Sequence, residues 1–207
     1  MKKIMFNDKY GLTQAVLEGR KTITRRAVPM HDYKYGFQVY YDRETKQCCV
    51  CDGSFIVERS RYARGEVVAI AQSYRDIYLN SGSIYKIGLL GRTAGWRNKM
   101  YVFADDMPHH IKITNIRIER LQDISDEDCL REGIYFDREG GSELGYPISI
   151  PFYYTFRGAV NNNSKQLYWT FPRDAFATLI DKVSGKGTWD SNPLVWVYEF
   201  ELINSKE

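Results

Sequence analysis

Every second residue from Leu194 to Leu202 is apolar and bulky: Leu194, Trp196, Tyr198, Phe200 and Leu202. Val195, Val197, Glu199 and Glu201 fill the alternate positions. A β-strand sets successive side chains on opposite faces, so this period of two predicts a strand with one large apolar face. His109–Leu121 repeats the pattern with Ile111 and Ile113, then Ile116 and Ile118. Its phase slips by one at Thr114-Asn115, which a β-bulge or tight bend would correct. Gln47–Cys51 and Ser54–Glu58 flank Asp52-Gly53, a pair preferred in two-residue hairpin turns. Glu66–Gln72 and Tyr85–Leu90 read as further strands. The 16 Tyr, 10 Phe and 4 Trp suit pleated faces. Together these runs predict a β-rich α+β fold whose last strand closes a small barrel on itself.

About three short helices interrupt the strands. Residues 8–18 carry an apolar stripe at Leu12, Ala15 and Val16, with Asn7 or Asp8 as cap and Gly19 as the left-handed end. Ser125 and Asp128 resemble a capping box, and Gly133 closes that helix. Residues 172–184 start on Pro172 and carry Phe176, Leu179, Ile180 and Val183 on one side.

The length of 207 residues fits a single domain spanning 1–207. Two stretches read as insertions: a hairpin at about 27–60, and an excursion at 135–170 that would serve as a lid. No apolar run reaches transmembrane length, and the start lacks the apolar core of a signal peptide. Cys48, Cys49 and Cys51 are too closely spaced for a disulfide framework, and Cys129 reads as a small core residue. A reduced, cytoplasmic protein without a membrane partner is the expectation. The three clustered cysteines lack a second ligand pair, and His109 and His110 point apart on a strand, so no metal is expected. The glycines at 82–95 match no phosphate loop, and no cofactor is expected.

The charge is unevenly placed. Residues 1–26 hold seven Lys/Arg against two acids, whereas residues 27–207 carry a small acidic excess. Arg20, Lys21, Arg25 and Arg26 concentrate that positive charge, which favours anionic or nucleotide-like ligands. A Thr hydroxyl is a weak nucleophile needing an adjacent base, and a desolvated Lys near other cations can supply one. Spacing leaves two arrangements open. On a regular strand Thr22, Thr24 and Arg26 share a face while Lys21 is solvated. If the chain turns directly after Gly19, Lys21 and Thr24 open into one pocket. Trp96 and Trp169 suit either core packing or stacking on a base.

Gly19-Arg20-Lys21-Thr22-Ile23-Thr24-Arg25-Arg26 resembles the N-terminal signature of ASCH domains, which follows a short amphipathic helix. Tyr62–Val68, Gly95-Trp96-Arg97-Asn98-Lys99, Met107-Pro108, Ile116–Ser125, Glu132-Gly133-Ile134 and Trp189–Phe200 resemble blocks of a longer, often phage-associated branch. Residues 27–60 and 135–168 lie outside the resemblance. It implies a PUA-like β-barrel and a partner that is RNA or a modified nucleoside. One small branch of the family hydrolyses the amide of N4-acetylcytidine with a Lys, a Thr and a Glu. The resemblance places those roles on Lys21, Thr24 and Glu132, with Arg20, Thr22, Arg25, Arg26 and Trp96 as ligand-binding residues. Three functions follow as expectations: binding of RNA or a modified nucleoside, amide hydrolysis on an N4-acylated cytidine, and a phage or mobile-element accessory role. The accessory role would use Tyr146, Phe152, Tyr153, Tyr154 and Phe156 as a protein-binding patch.

Overall fold

The alternating segment near the C-terminus forms an interior strand of a sheet, one in from its edge. The computed structural model describes residues 1–29, 37–79, 89–137, 152–155 and 169–203. Its main sheet contains β1 (Lys3–Ile4), β2 (Ile23–Ala27), β6 (Val67–Ile70), β7 (His110–Arg120) and β10 (Leu194–Ile203). Their spatial order is β1-β6-β7-β10-β2. Only the β1–β6 pair is parallel; the others are antiparallel. Val195, Trp196, Val197 and Tyr198 are all buried, so both faces of β10 are covered. That double burial accounts for the unbroken apolar run Leu194–Tyr198, which an interior strand of an open sheet shows as readily as one closing a barrel. Among the described residues β1 and β2 are free edges and the sheet does not close. The barrel expectation is thus corrected to an open, β-rich α+β sheet. At two residues, β1 is too short to carry the ladder round to β2.

The phase slip in β7 is a bulge. Glu199 of β10 faces Asn115, and the next residue, Phe200, faces Ile113, leaving Thr114 over. Ile111, Ile113 and Ile116 are consequently all buried on one side. Arg117 and Glu119 fall on the other side, opposite Val197 and Val195.

A second sheet holds β3 (Phe37–Asp42), β4 (Gln47–Asp52) and β5 (Phe55–Arg59) in that order. Gly53 sits between β4 and β5 at φ 59°, the left-handed turn geometry that glycine adopts without steric cost. Cys48 and Val50 of β4 join the main core. The expected insertion at 27–60 is therefore a three-stranded sheet built onto that core. In the 135–170 stretch, β8 (Tyr135–Asp137) pairs with β9 (Phe152–Tyr154), and Tyr153 bridges to Trp169. The rest of the expected lid lies outside the described residues, as do Tyr146 and Phe156. Of the expected strand Tyr85–Leu90, residues 85–88 also lie outside them, and Leu89 and Leu90 are helical.

Five α-helices are described where about three were expected. Residues 8–18 divide into a 3-10 turn, Asp8–Tyr10, and α1 (Leu12–Leu17), separated by Gly11 at φ 66°. The second, α2 (Tyr74–Leu79), is capped by Ser73, whose hydroxyl accepts from the Asp76 amide. Next come α3 (Asp126–Arg131), α4 (Pro172–Ser184) and the single turn α5 (Thr188–Ser191). Ala175, Phe176 and Leu179 of α4 pack with Leu12 and Val16 of α1 in the main core. The C-terminal end of α3 packs on the first turn of chain after α1. There Gly133, at φ 101°, has Ala15 Cβ and Lys21 Cβ within 3.5–3.6 Å of where its own Cβ would stand. Space is adequate, but the backbone conformation is one that side-chain-bearing residues avoid. We expect Gly133→Ala to destabilise the protein by about 1–2 kcal/mol through backbone strain. Urea unfolding would show this as a lower midpoint with an unchanged slope.

Candidate active site at the end of the first helix

The chain reverses directly after α1. Gly19, at φ 73°, supplies the left-handed step. The Lys21 amide then returns to the Ala15 carbonyl (2.9 Å), and the Thr22 amide bonds the Arg131 carbonyl (2.9 Å). Lys21 therefore precedes β2 and is not bound by its alternation, so the pocket arrangement is the one adopted. Its side chain is 2% exposed and its Nζ donates to the Glu132 carbonyl (2.8 Å) and to Glu132 Oε2. Thr24, Glu132 and Lys21 line one small cavity of about 100 Å3, with Phe6, Leu12 and Phe176 as apolar walls. Thr24 and Arg25 point to opposite faces of β2, yet both line it. No hydrogen bond joins Lys21 to Thr24, and the Thr24 hydroxyl bonds none of the described residues.

Glu132 is positioned from both sides. It is the C-terminal cap of α3, a helix started by Ser125 accepting from the Asp128 amide at 3.1 Å. Its other carboxylate oxygen accepts from Arg25 Nη1 at 3.1 Å. Arg25 Nη2 also reaches Asp128 Oδ2 (2.7 Å) and Glu119 Oε1 (2.6 Å), and Nε shares that Glu119 oxygen (2.8 Å). Strand register explains the meeting: Arg25 and Arg117 flank Val197 on the same face of the sheet, beneath α3. Arg117 pairs with Glu119, Asp128 and Glu199. Arg131 pairs with Asp128 (3.1 Å) and Glu199 (3.0 Å), and its Nε bonds the Thr22 hydroxyl at 3.2 Å. Lys21, Arg25, Arg117 and Arg131 thus interlock with Glu119, Asp128, Glu132 and Glu199 in one formally neutral network.

Burial pushes the Lys21 ammonium below its ordinary 10.5; Glu132 opposes this, while Arg26 and Arg25 add to it. Arg25 is held above its ordinary value: burial works against its charge, but Glu132, Asp128 and Glu119 outweigh burial. Burial alone would raise Asp128, yet the hydrogen bond and charge of Arg25, then those of Arg117, hold it below 3.8. Burial would likewise raise Glu199, but Arg131, Asn115 and Arg117 hold it below 4.5.

The other expected residues separate from the cavity or change role. Arg25, expected on a ligand's phosphates, has its guanidinium turned inward onto three carboxylates; it positions Glu132. Thr22 is a hydrogen-bond acceptor within the network. Arg20 is exposed, pairs with Glu18 at 2.7 Å and lies over the Tyr135 ring, away from the cavity. Trp96 is partly buried and packs against a second, smaller core cluster with Tyr74, Val102 and Met107, apart from the cavity's lining. Arg26 remains at the cavity, exposed, with its guanidinium over the Phe6 ring and bonded to the Met5 carbonyl. The four cysteines are buried and free, and among the described residues no cluster of His, Cys, Asp or Glu is arranged to hold a metal ion. Sequence reasoning did not find Arg117, Glu119, Asp128, Arg131 and Glu199. Their signal was present as charge of both signs inside otherwise apolar strands and on one side of a capped helix.

No family model matches the chain, and neither the curated proteins nor the solved structures give a match. No helix among the described residues is long and apolar enough to cross a membrane.

Removing one member of a buried ion cluster strands its partners, which costs about 3–5 kcal/mol. We expect Arg25→Ala to lose that much stability in denaturant titration. Arg25→Lys should recover little, because one ammonium cannot reach three carboxylates in fork geometry. The depressed Asp128 and Glu199 values fix the sign of the acid response. Their stabilisation is fully present above the ordinary carboxylate range and is lost as pH falls through and below it. Asp128→Asn should therefore melt lower at neutral pH and show a shallower loss of stability between pH 5 and 3, followed by circular dichroism.

Proposed function

We propose that this protein handles RNA or a modified nucleoside in the manner of the ASCH domains it resembles. We further propose that its reaction is hydrolysis of an N-acyl group on a cytidine-type base. One observation carries the reading: Lys21, Thr24 and Glu132, the three residues the resemblance singles out, line one cavity. At about 100 Å3 the cavity is smaller than the usual seat of a whole drug-sized ligand. It fits an acyl amide better than an entire nucleoside. Phe6, Leu12 and Phe176 suit the acyl group's apolar end.

Each residue then has a defined task. A water held by the Thr24 hydroxyl attacks the acyl carbon; if the hydroxyl itself attacks, the amine leaves first and the water then hydrolyses the resulting threonyl ester. Lys21 in its neutral form accepts the nucleophile's proton and returns it to the departing exocyclic nitrogen. The carbon–nitrogen bond breaks, giving a carboxylic acid and the free amine, with one water consumed. Glu132 aims the Lys21 Nζ, and Arg25 aims Glu132. Burial serves the chemistry because it lowers the proton affinity of Lys21, so more of the base is available near neutrality.

Purified protein incubated with N4-acetylcytidine should release cytidine, followed by chromatography. Lys21→Ala and Thr24→Ala should each slow release by about 10²–10⁴; release as fast as the parent from either variant would remove these roles. The rate should rise with pH along a limb set by Lys21, placed below the ordinary 10.5 of a lysine. A profile flat from pH 6 to 10 would show that Lys21 is not the base.

A further inference from the structure

A larger and differently charged cleft adjoins the amide cavity. It measures about 600 Å3 and is lined by Lys3, Arg26, Arg59 and Arg61, with Tyr62 and Trp196 in its floor. Glu58 is the one carboxylate lining it. Arg59 is matched by Asp42 at 2.8 Å. The other three cations have no carboxylate partner among the described residues. Lys3 Nζ donates to the Lys99, Met100 and Val102 carbonyls (3.2, 2.6 and 2.8 Å), which use its three N–H groups and leave it to contribute charge alone. Arg26 is held by the Met5 carbonyl, and the Arg61 guanidinium lies 5.8 Å over the Tyr62 ring. Arg26 and Arg61, exposed and without a carboxylate partner among the described residues, line one concavity and concentrate positive potential there. A neutral or apolar ligand would leave that charge unmatched; phosphate matches it by charge and by its hydrogen-bond acceptors.

The two cavities share Arg26 and Ala27, at the free edge of β2. A base whose acylated nitrogen entered the small cavity would carry its sugar and phosphate past Arg26 into the large one. We infer that the large cleft is a channel for the phosphate backbone of single-stranded nucleic acid, and that the substrate is a base within such a strand. The assignment of the base rests on the proposed amide hydrolysis; the phosphate channel stands on the cleft's own charge and shape.

The test measures binding without catalysis. A fluorescent, unmodified ten-nucleotide oligocytidylate is titrated by anisotropy from 50 to 200 mM salt. Binding should weaken as salt rises, because phosphate contacts release counterions. Arg61→Ser and Arg26→Ser should each weaken binding and reduce the slope of log affinity against log salt by about one. Arg61→Lys should keep most of that slope. Arg61 is exposed, and matching thermal melts for its variants would confirm an intact fold. No binding at 50 mM salt overturns the channel, as does parental binding by both serine variants. A ten-base-pair duplex bound as tightly as the single strand also overturns it. If binding behaves as expected while N4-acetylcytidine is left intact, the amide reading falls and the channel stands.

Discussion

Eight charged side chains, four of each sign, are held together where β2, β7 and β10 meet α3, and the candidate site is one corner of that assembly. Taking such charges out of water is expensive, and mutual attraction repays it only when geometry is good and the remaining hydrogen bonds are made. Here each carboxylate of the cluster meets at least two of the cations. Arg25 and Arg117 each touch three of the acids, and Arg25 is the one whose guanidinium reaches Glu132. The arrangement is better understood as a device for placing groups than as a source of net stability. It holds α3 at one height against the sheet, and hence Glu132 at one distance from Lys21.

The Lys21 environment follows from that placement. An isolated ammonium at this depth would shed its proton or pull in water. With Glu132 beside it and Arg25 behind Glu132, the amine stays buried while its affinity for a proton is reduced. The same carboxylate answers to two cations through its two oxygens, so a change at Arg25 reaches the cavity without Arg25 meeting any ligand. The Thr24 hydroxyl differs in having no commitment to the network.

Much of the fold was legible in the sequence, for definite reasons. The bulge was visible because the isoleucines of β7 change phase at one point. The β4–β5 turn and the α3 cap were visible because Asp52-Gly53 and Ser125 to Asp128 act through their nearest neighbours. Long-range decisions were hidden. Alternation in β10 reads the same for a strand closing a barrel as for one in the middle of an open sheet, since it records burial and not the identity of neighbours. The short helices α2 and α5 lack the length to establish a period. In the site, Lys21 and Thr24 were found through the motif. Glu132 came from the resemblance, but its link to Arg25 did not, and Glu119 and Asp128 were missed because they are scattered along the chain and look individually like surface residues.

Thr114 gives the fold an uneven tolerance to changes of length. The one surplus residue in β7 keeps Ile111 and Ile113 in step with Ile116. Lose a single position between Ile116 and Glu119, and every later side chain in the strand would trade sides. Guanidinium and carboxylate would then be driven into hydrocarbon, and isoleucine would be set against α3. Lose two, and parity would survive. Lineages descending from such a gene should therefore vary freely in spelling along β7, yet change its residue count there only in pairs.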